Sequence, residues 1–235
     1  MTNNPHLSIK NRLLAALPAD DYQRLVPDLE FIDLPVRQAL YEPEEPITHV
    51  YFLNQGISSI VQTMEDGSTV EAGMVGNEGM VGIPVILGSD MTTTSAFMQV
   101  PGSGMRMKAI RLKEEFNRGG ALQKLLLRYT LAMFTQVSQG TACNRLHTLE
   151  QRFARWLLFV SDLTQSDEFP LTQEFIAQML GVRRSGVTVA AGIFSRAEMI
   201  CYTRGKISIR NRKELEATSC ECYKLIKAEF SRLLD

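Results

Sequence analysis

The chain has 235 residues and a formal net charge of −1, with 45% hydrophobic and 22% charged residues. This composition is ordinary for a globular protein and excludes a disordered, collagen-like or purely coiled-coil chain. The length fits two domains of roughly 100–150 residues each. No apolar run approaches the ~20 residues of a membrane helix, and the first residues lack the basic and apolar parts of a secretory signal. We therefore expect a cytoplasmic protein without a membrane partner.

The first half of the chain is predicted to be mainly β-structure. Two short helical stretches, Leu13–Leu17 and Pro18–Tyr22, come first. From Leu29 to about Lys108, short apolar or alternating runs recur at close spacing between Gly, Asp and Asn turn signals. The clearest hairpin signal is the turn Glu65–Ser68. Many short strands punctuated in this way predict an antiparallel β-roll or sandwich.

A long helix is predicted from Ala121 onwards, with apolar residues on two faces. On one face they recur at alternating steps of four and three, which is the seam of a two-helix contact. A second stripe, Leu127, Leu131 and Phe134, lies elsewhere, so the helix needs two partners: its own β-roll and an identical helix of a second chain. A helix packed wholly inside one chain is the alternative. The predicted homodimer interface is the seam Leu122, Leu126, Tyr129, Met133, Gln136, Gly140 and Cys143.

The segment after a further helix, predicted at about Leu149–Leu163, carries the strongest functional signal. It places a small residue, a glycine and an apolar residue at Ala177, Gly181 and Val187. A helix-turn-helix needs these types at this spacing, because two helices cross closely, the turn is left-handed and the second helix must be anchored on the first. Thr172 suits the N-cap of the first helix. The segment Met199–Ile209 alternates around an Arg-Gly turn, which predicts a two-stranded wing.

Charge supports a nucleic-acid partner for this part of the chain. Residues 1–150 carry a net charge of −4, whereas Gly181–Lys213 holds eight basic residues and one acid, a net charge of +7. The start of the second helix would read base edges in the major groove, while the wing and the start of the first helix would contact phosphates. A winged helix that contacts protein instead of DNA is the alternative. The predicted DNA-binding residues are Arg183, Arg184, Ser185, Gly186 and Thr188 on the reading helix, with Thr172, Gln173, Arg204 and Lys206 at phosphates.

The order of β-roll, long helix, helix-turn-helix and wing resembles the Crp/Fnr family of bacterial transcription regulators over nearly the whole chain. The tail Leu215–Tyr223 also looks like that of one branch of the family. The resemblance implies an α+β fold with a cyclic-nucleotide-binding-like roll at 1–118, a dimerisation helix at 119–146 and a winged-helix domain at 147–235. It further implies a transcription regulator that binds a two-fold symmetric promoter site in double-stranded DNA as a homodimer. RNA polymerase is a candidate partner, because activation requires a surface that contacts it.

The sequence departs from the family at the positions that bind cyclic nucleotides. Relatives that bind them hold the ribose with a glutamate and the phosphate with an arginine, where this chain has Ile83 and Thr94. No basic residue occurs between Arg37 and Arg106, so a buried phosphate would lack its counter-charge. We expect that neither cyclic AMP nor cyclic GMP binds, and that the roll senses another signal or none. Val189 stands where those relatives have an arginine, which predicts a different DNA half-site.

Cysteine and histidine positions argue against other cofactors. The oxygen-sensing branch holds an iron–sulfur cluster on cysteines near the N-terminus, whereas no cysteine here precedes Cys143. His49 and His147 are the conceivable haem ligands, but lone histidines are more often structural, and three histidines are too few for a cupin-like metal enzyme. Cys220 and Cys222 lack the usual zinc spacing and a second pair, which favours inert or weakly reactive thiols. We thus expect no cofactor, no metal and no enzymatic activity.

Overall fold

The computed structural model describes residues 10–203 and 205–234. The chain divides into two compact units, Met1–Ser58 with Val75–Arg128 and Ser59–Met74 with Tyr129–Asp235. The predicted fold class is confirmed: the chain is α+β, with an antiparallel sheet, a long helix and a C-terminal winged helix-turn-helix.

The N-terminal elements form one antiparallel sheet with short helices before it and a helix after it. In chain order they are α1 (Arg12–Ala15), α2 (Ala19–Leu25), β1 (Glu30–Leu34), β2 (Ala39–Tyr41), β3 (His49–Thr63), β4 (Thr69–Val75), β5 (Met80–Val81), β6 (Ser95–Lys108) and α3 (Ala109–Asn117). The strand order is β1-β6-β3-β4, while β2 pairs with β6 and β5 pairs with β3. Two 3-10 turns, Val26–Asp28 and Ile83–Leu87, complete the set.

The core of the first unit lies on β3 and β6. The side chains of Val50, Phe52 and Met98 are fully buried there. Gly104 allows the two strands to approach closely, because a Cβ at this position would lie 2.5 Å from the backbone oxygen of Phe52. A side chain at residue 104 would therefore push the strands apart and open this core.

The predicted hairpin at Glu65–Ser68 is confirmed as the turn between β3 and β4. The Met64 N–H donates to the Ser68 carbonyl at 2.8 Å, and the Ser68 N–H donates to the Asp66 carboxylate at 2.9 Å. Gly67 adopts a φ of 82°, a left-handed conformation that glycine takes without strain. The hairpin tip belongs to the second unit.

The rest of the chain is mostly helical and contains a small second sheet. Its elements are α4 (Ala121–Leu146), α5 (Leu149–Thr164), β7 (Glu168–Pro170), α6 (Gln173–Leu180), α7 (Arg184–Arg196), β8 (Ile200–Thr203), β9 (Lys206–Ile209), α8 (Arg212–Thr218) and α9 (Cys222–Leu234). The wing strands β8 and β9 are present as predicted, and β7 adds an unpredicted third strand in the order β7-β9-β8. Phe153 stacks on Phe194, with ring centroids 5.4 Å apart, and Trp156 on the same helix α5 as Phe153 is also buried.

The structure corrects the predicted choice of face on α4. Five residues of the predicted seam are 0–5% exposed within the chain itself: Leu122, Leu126, Tyr129, Met133 and Cys143. Gln136 is also engaged, since its Oε1 accepts a hydrogen bond from the Met74 N–H at 2.7 Å, and Gly140 is half-exposed. Five of the seven predicted seam residues therefore pack inside the chain. The exposed large apolar residues of α4 are the other predicted stripe, Leu127, Leu131 and Phe134, followed by Val137 on the same side and Leu146 at the end of the helix, at 40–77% exposure.

Candidate nucleic-acid interface

The helix-turn-helix is specified by local sequence signals, namely the N-cap of its first helix and the glycine of its turn. The Thr172 side chain caps α6 by accepting a hydrogen bond from the Phe175 N–H at 3.2 Å. Gly181 ends α6 with a φ of 63°, and the Val182 N–H returns to the Ala177 carbonyl at 2.9 Å. The predicted N-cap and left-handed turn are both confirmed.

The contact between α6 and α7 is apolar and closely packed. Ala177 and Val187 are 3% and 0% exposed, so the small residue lies at the crossing and the apolar residue anchors the second helix, as predicted. Ile176 and Leu180 complete the buried side of α6, whereas Val182 in the turn is half-buried. Because this core fixes α7 on α6, the first turn of α7 is presented to solvent in one defined orientation.

We expect Gly181→Ala to lower the free energy of unfolding by about 1–2 kcal/mol, because alanine is strained in the left-handed conformation. The added Cβ would also lie 3.0 Å from Val70 Cγ2. Gly192→Ala in α7 is the matched control: its Cβ meets only Arg196 Nη1 at 3.6 Å, so it should stabilise the helix by about 0.5–1 kcal/mol. Urea unfolding followed by the fluorescence of Trp156, the single tryptophan, measures both changes. Shifts of the same sign in the two variants would contradict this account of the turn.

The predicted base-reading residues lie at the exposed start of α7. Arg183 is the N-cap residue of α7, and Arg184 and Ser185 form its first turn, all three exposed. Arg184 Nε lies 3.9 Å from a carboxylate oxygen of Glu174, a loose contact between two exposed side chains that is easily exchanged for a phosphate or base. Among the described residues no ion pair involves Arg183. One guanidinium is thus unpaired and a second is weakly paired at the tip of the reading helix.

The starts of α6 and α7 are joined by a hydrogen bond between side chains. The Thr188 hydroxyl donates to Gln173 Oε1 at 2.6 Å, and Thr188 is exposed one turn beyond Arg184. The structure therefore brings Gln173 and Thr188 together on the same surface as the two arginines. The Gln173 amide N–H₂ group, which this bond does not use, is a donor for a phosphate or a base acceptor.

The wing carries fewer available cations than the sequence suggests. The ammonium of Lys206 forms an ion pair with the carboxylate of Glu168 on β7, and this bond lowers the pKa of Glu168. The predicted phosphate contact Arg204 lies outside the described residues. Tyr202 positions the wing against the helix-turn-helix, because its hydroxyl donates to the Leu171 carbonyl at 3.1 Å.

One member of the basic stretch, Arg212, serves the interior rather than the surface. Its guanidinium contacts the carboxylates of Asp162 and Glu216 and donates to the Tyr223 hydroxyl at 2.8 Å. Asp162 also accepts from Lys227 at 2.9 Å. Burial raises the pKa of Asp162, but the bonds from Lys227, Tyr223 and Arg212 together outweigh burial and lower it. This network ties α5 to α8 and α9, and it removes Arg212 from the positive charge that faces a ligand.

Two further positions on α7, Gly186 and Val189, bear on the predicted interface. Gly186, which is predicted to approach DNA, is half-exposed, and a Cβ there would lie 2.9 Å from Leu149 Cδ2, so the glycine also allows α7 to pack closely on α5. Val189, which stands where cyclic-nucleotide-binding relatives have an arginine but is not in the predicted DNA-binding set, is 60% exposed on the same helix, one residue beyond Thr188. An exposed apolar side chain at this place can contact a thymine methyl group.

These features define a class of protein. Its members combine a β-roll, a long helix and a winged helix-turn-helix in one chain, and their reading helix is exposed and positively charged. Residues 151–218, from α5 to the end of α8, match the family model of the Crp-like helix-turn-helix domain. No curated protein matches the chain. No helix in the described part of the chain has the length and apolarity needed to span a bilayer.

Solved structures of Crp/Fnr regulators share the fold at low sequence identity. A Crp/Fnr-family regulator from Eubacterium rectale superposes with a TM-score of 0.71 at 17% identity, covering 88% of this chain and 96% of its own. FixK2 from Bradyrhizobium japonicum gives 0.67 at 16% identity, with 82% and 98% covered. A CRP-family regulator from Thermus thermophilus gives 0.65 at 18% identity, with 81% and 96% covered. The chain therefore contains a Crp-like helix-turn-helix domain within the Crp/Fnr fold.

Proposed function

We propose that the chain is a sequence-specific, DNA-binding transcription regulator of the Crp/Fnr type that acts as a homodimer. The observation that carries the proposal is the exposed first turn of α7, where Arg183 and Arg184 project from a rigidly capped helix-turn-helix. RNA polymerase is the further partner that such a regulator contacts when it activates transcription.

The reading helix supplies groups for three kinds of base contact. Arg183 and Arg184 can each donate two hydrogen bonds to the O6 and N7 atoms of guanine. Ser185 and Thr188 can donate to or accept from a base edge, and Val189 suits a thymine methyl group. The half-site should therefore contain guanine next to a position that favours thymine.

Phosphate contacts would fix the register of α7 in the groove. Thr172 and Gln173 lie at the N-terminus of α6, where free backbone N–H groups and the helix dipole favour an anion. Lys206 reaches a phosphate by exchanging its exposed partner Glu168, at little cost. These contacts raise affinity for any DNA sequence, whereas the reading helix provides the preference.

The exposed stripe of α4 is the surface proposed for dimerisation. Leu127, Leu131, Phe134 and Val137 follow one another at helical spacing along more than two turns. A two-fold axis beside this stripe would bury the same four side chains of both chains, as an isologous interface requires. Two reading helices related by that axis would bind two half-sites of a symmetric promoter.

A cyclic nucleotide is not part of the proposal. Thr94, which stands where relatives have the phosphate-binding arginine, has its hydroxyl 3.4 Å from the Tyr41 hydroxyl and 3.2 Å from that of Thr92. Arg106, the first basic residue after Arg37, is paired with the Glu30 carboxylate at 2.8 Å. The supporting observation is thus a neutral hydroxyl cluster at the position where a phosphate would need a cation.

The decisive experiment selects genomic DNA fragments with the purified chain and then compares two double variants on the selected site. Arg183→Ala with Arg184→Ala should reduce the ratio of specific to non-specific affinity by about 30-fold or more, since each bidentate arginine–guanine pair is worth about 1–3 kcal/mol. Lys113→Ala with Arg118→Ala removes the same charge from exposed positions on α3 and the residue after it, and should leave the ratio unchanged.

Salt dependence separates DNA binding from a protein-contact role for the winged helix. The native chain should lose affinity steeply as salt rises, with a slope of about −0.9 for each phosphate contact. A chain that selects no fragment and binds no duplex at low salt would overturn the proposal. An unchanged specificity ratio in the Arg183/Arg184 variant would instead overturn the assignment of the reading residues.

A further inference from the structure

Four side chains that are distant in sequence meet at the C-terminal end of α4. Cys143 lies in the last turn of α4, and His147 directly follows that helix. Cys220 lies between α8 and α9, and Cys222 is the first residue of α9. The sulfur and nitrogen donor atoms of all four lie within 4.8 Å of one another. The three cysteines are free thiols and are 0–3% exposed. We refer to these four residues as the Cys₃His cluster.

Two distances in the Cys₃His cluster are close to the edges of a tetrahedron around one metal ion, and all four donor atoms lie within 4.8 Å of one another. Cys143 Sγ lies 3.5 Å from Cys220 Sγ, and Cys222 Sγ lies 3.6 Å from His147 Nδ1. With Zn–S bonds of about 2.3 Å and Zn–N bonds of about 2.0 Å, tetrahedral zinc separates two sulfurs by about 3.8 Å and a sulfur from a nitrogen by about 3.5 Å. An iron–sulfur cluster needs room between its ligands for several irons and sulfides. Donors this close together favour a single ion.

Backbone geometry presents the first two ligands as a pair. The His147 N–H donates to the Cys143 carbonyl at 3.1 Å, so the helical turn continues through His147. Residues four apart on a helix share a face, which directs both donors to the same point. The other two ligands come from the turn between α8 and α9, where the Tyr223 N–H donates to the Cys220 carbonyl at 3.2 Å.

Neighbouring polar groups orient the ligands as they do in metal sites. His147 Nε2 lies 3.2 Å from a carboxylate oxygen of Glu221, so an N–H on Nε2 leaves the lone pair on Nδ1, the nitrogen that faces Cys222. A carboxylate behind a histidine fixes the tautomer and raises the basicity of the ligating nitrogen. Gln139 Nε2 donates to Cys222 Sγ at 3.2 Å, a bond that stabilises a thiolate.

Two arginines of α5 lie close enough to the Cys₃His cluster to act on its charge. Arg152 also donates to the Leu180 carbonyl, and Arg155 lies 5.8 Å above the Phe159 ring. Arg152 and Arg155 on α5 each have a buried Nε–H with no hydrogen-bond partner among the described residues. Three thiolates and a neutral histidine around a divalent ion leave one negative charge, and a nearby guanidinium offsets it.

We propose that Cys143, His147, Cys220 and Cys222 bind one zinc ion in each chain. All four coordination positions come from the protein, which is the arrangement of a structural rather than a catalytic zinc site. The ion would fasten the end of α4 to the start of α9, across a sequence separation of 77 residues between Cys143 and Cys220. This proposal replaces the sequence-based expectation of inert cysteines and no metal, and it does not depend on the proposed DNA binding.

The first test measures metal in the full-length chain. Elemental analysis of protein purified under reducing conditions should give one zinc per chain that survives gel filtration. After removal of zinc with a chelator, titration with cobalt(II) should reach an endpoint at one ion per chain, with the intense visible bands of tetrahedral thiolate coordination. No bound metal with fully reduced thiols, or iron together with sulfide, would overturn the proposal. A Cys143–Cys220 disulfide that persists with zinc present would also overturn it.

The second test assigns the ligands. Cys220→Ser and Cys222→Ser should each weaken cobalt binding by at least 100-fold and shift its bands, whereas Cys201→Ser, at the half-buried cysteine outside the Cys₃His cluster, should change neither. Glu221→Gln is the variant that leaves the fold least disturbed, because this side chain is 67% exposed. It should weaken cobalt binding by about 10-fold, because it alters only the carboxylate that orients His147. Cobalt spectra identical in the native chain and both serine variants would rule out the assignment.

Discussion

A variant in which Leu131 and Phe134 are both replaced by glutamate is expected to be monomeric and to bind its promoter site about 100-fold or more weakly than the native chain. The two side chains are 47% and 68% exposed and lie in the middle of the apolar stripe of α4. In a two-fold interface each new carboxylate would face its own copy or apolar surface, and burying such unpaired charges costs several kcal/mol.

The loss of DNA affinity follows from the loss of the second reading helix. A dimer that occupies two half-sites gains about 10²–10⁴ in affinity over a single module, because the second contact forms at high effective concentration. The monomeric variant keeps Arg183 and Arg184 and should therefore retain weak binding to a single half-site. The affinity of this variant for DNA with two half-sites should be at most twice its affinity for DNA with one half-site.

Sedimentation equilibrium and gel-shift titration measure the two effects. Leu225→Glu is the matched control, because this leucine is 51% exposed on α9, outside the stripe, and the variant should remain a dimer with native affinity. A Leu131→Glu/Phe134→Glu variant that stays dimeric would show that a different surface joins the chains. A native chain that is monomeric at micromolar concentration would remove the symmetric-site model altogether.

The helix-turn-helix could be predicted because each of its signals is local. Thr172 needs only the backbone three residues ahead of it to act as an N-cap, and Gly181 is required by the conformation of a single turn. The buried pair Ala177 and Val187 is separated by ten residues and needs no distant partner. Sequence order alone therefore fixes this motif before any tertiary contact is known.

The faces of α4 and the available charge could not be predicted in the same way. Both stripes of α4 are apolar, and only packing shows that Tyr129 and Met133 are buried while Phe134 is exposed. Likewise a count of basic residues cannot distinguish Arg212, which is held by Asp162, from Arg183. Competition between two apolar faces, and between internal and external partners, is decided by tertiary structure.

The Cys₃His cluster shows the same limit for ligands that come from two places in the chain. Cys220 and Cys222 taken alone have an unusual spacing for zinc, which is why the sequence favoured inert thiols. Their missing partners, Cys143 and His147, lie one turn apart on a helix more than seventy residues earlier. The pattern Cys-x₃-His at the end of an amphipathic helix was a visible signal, but nothing local linked it to the tail.

A half-buried carboxylate, Glu71, ties the β3–β4 hairpin to α5. Its two oxygens accept hydrogen bonds from the Ser59 hydroxyl at 2.7 Å and from the Trp156 indole N–H at 2.9 Å. Burial raises the pKa of Glu71 from 4.5 to about 7, because desolvation of the charged form outweighs the two hydrogen bonds and the more distant Arg155. The group therefore changes its charge near neutral pH within the folded chain.

The pKa of Glu71 makes the stability of the second unit depend on pH. Between pH 4.5 and about 7 the folded chain holds a proton on Glu71 that the unfolded chain has released, so the free energy of unfolding falls as pH rises through this range. Below pH 4.5 the contribution of Glu71 to the free energy of unfolding is constant. Above about pH 7 the free energy of unfolding is lower by the full amount, up to about 3 kcal/mol. Glu71→Gln keeps both hydrogen bonds without the charge, since the serine hydroxyl can turn to accept.

Glu71→Gln should thus be close to the native chain in stability at pH 5 and about 2–3 kcal/mol more stable at pH 8. Urea unfolding at both pH values, followed by Trp156 fluorescence, measures the difference within the unit that contains the tryptophan. Glu65→Gln removes the same charge from the exposed turn of the hairpin, and its stability relative to the native chain should not change between pH 5 and pH 8. A constant offset between native and Glu71→Gln across this range would mean that Glu71 remains ionised in the fold, hydrogen-bonded strongly enough to offset its burial.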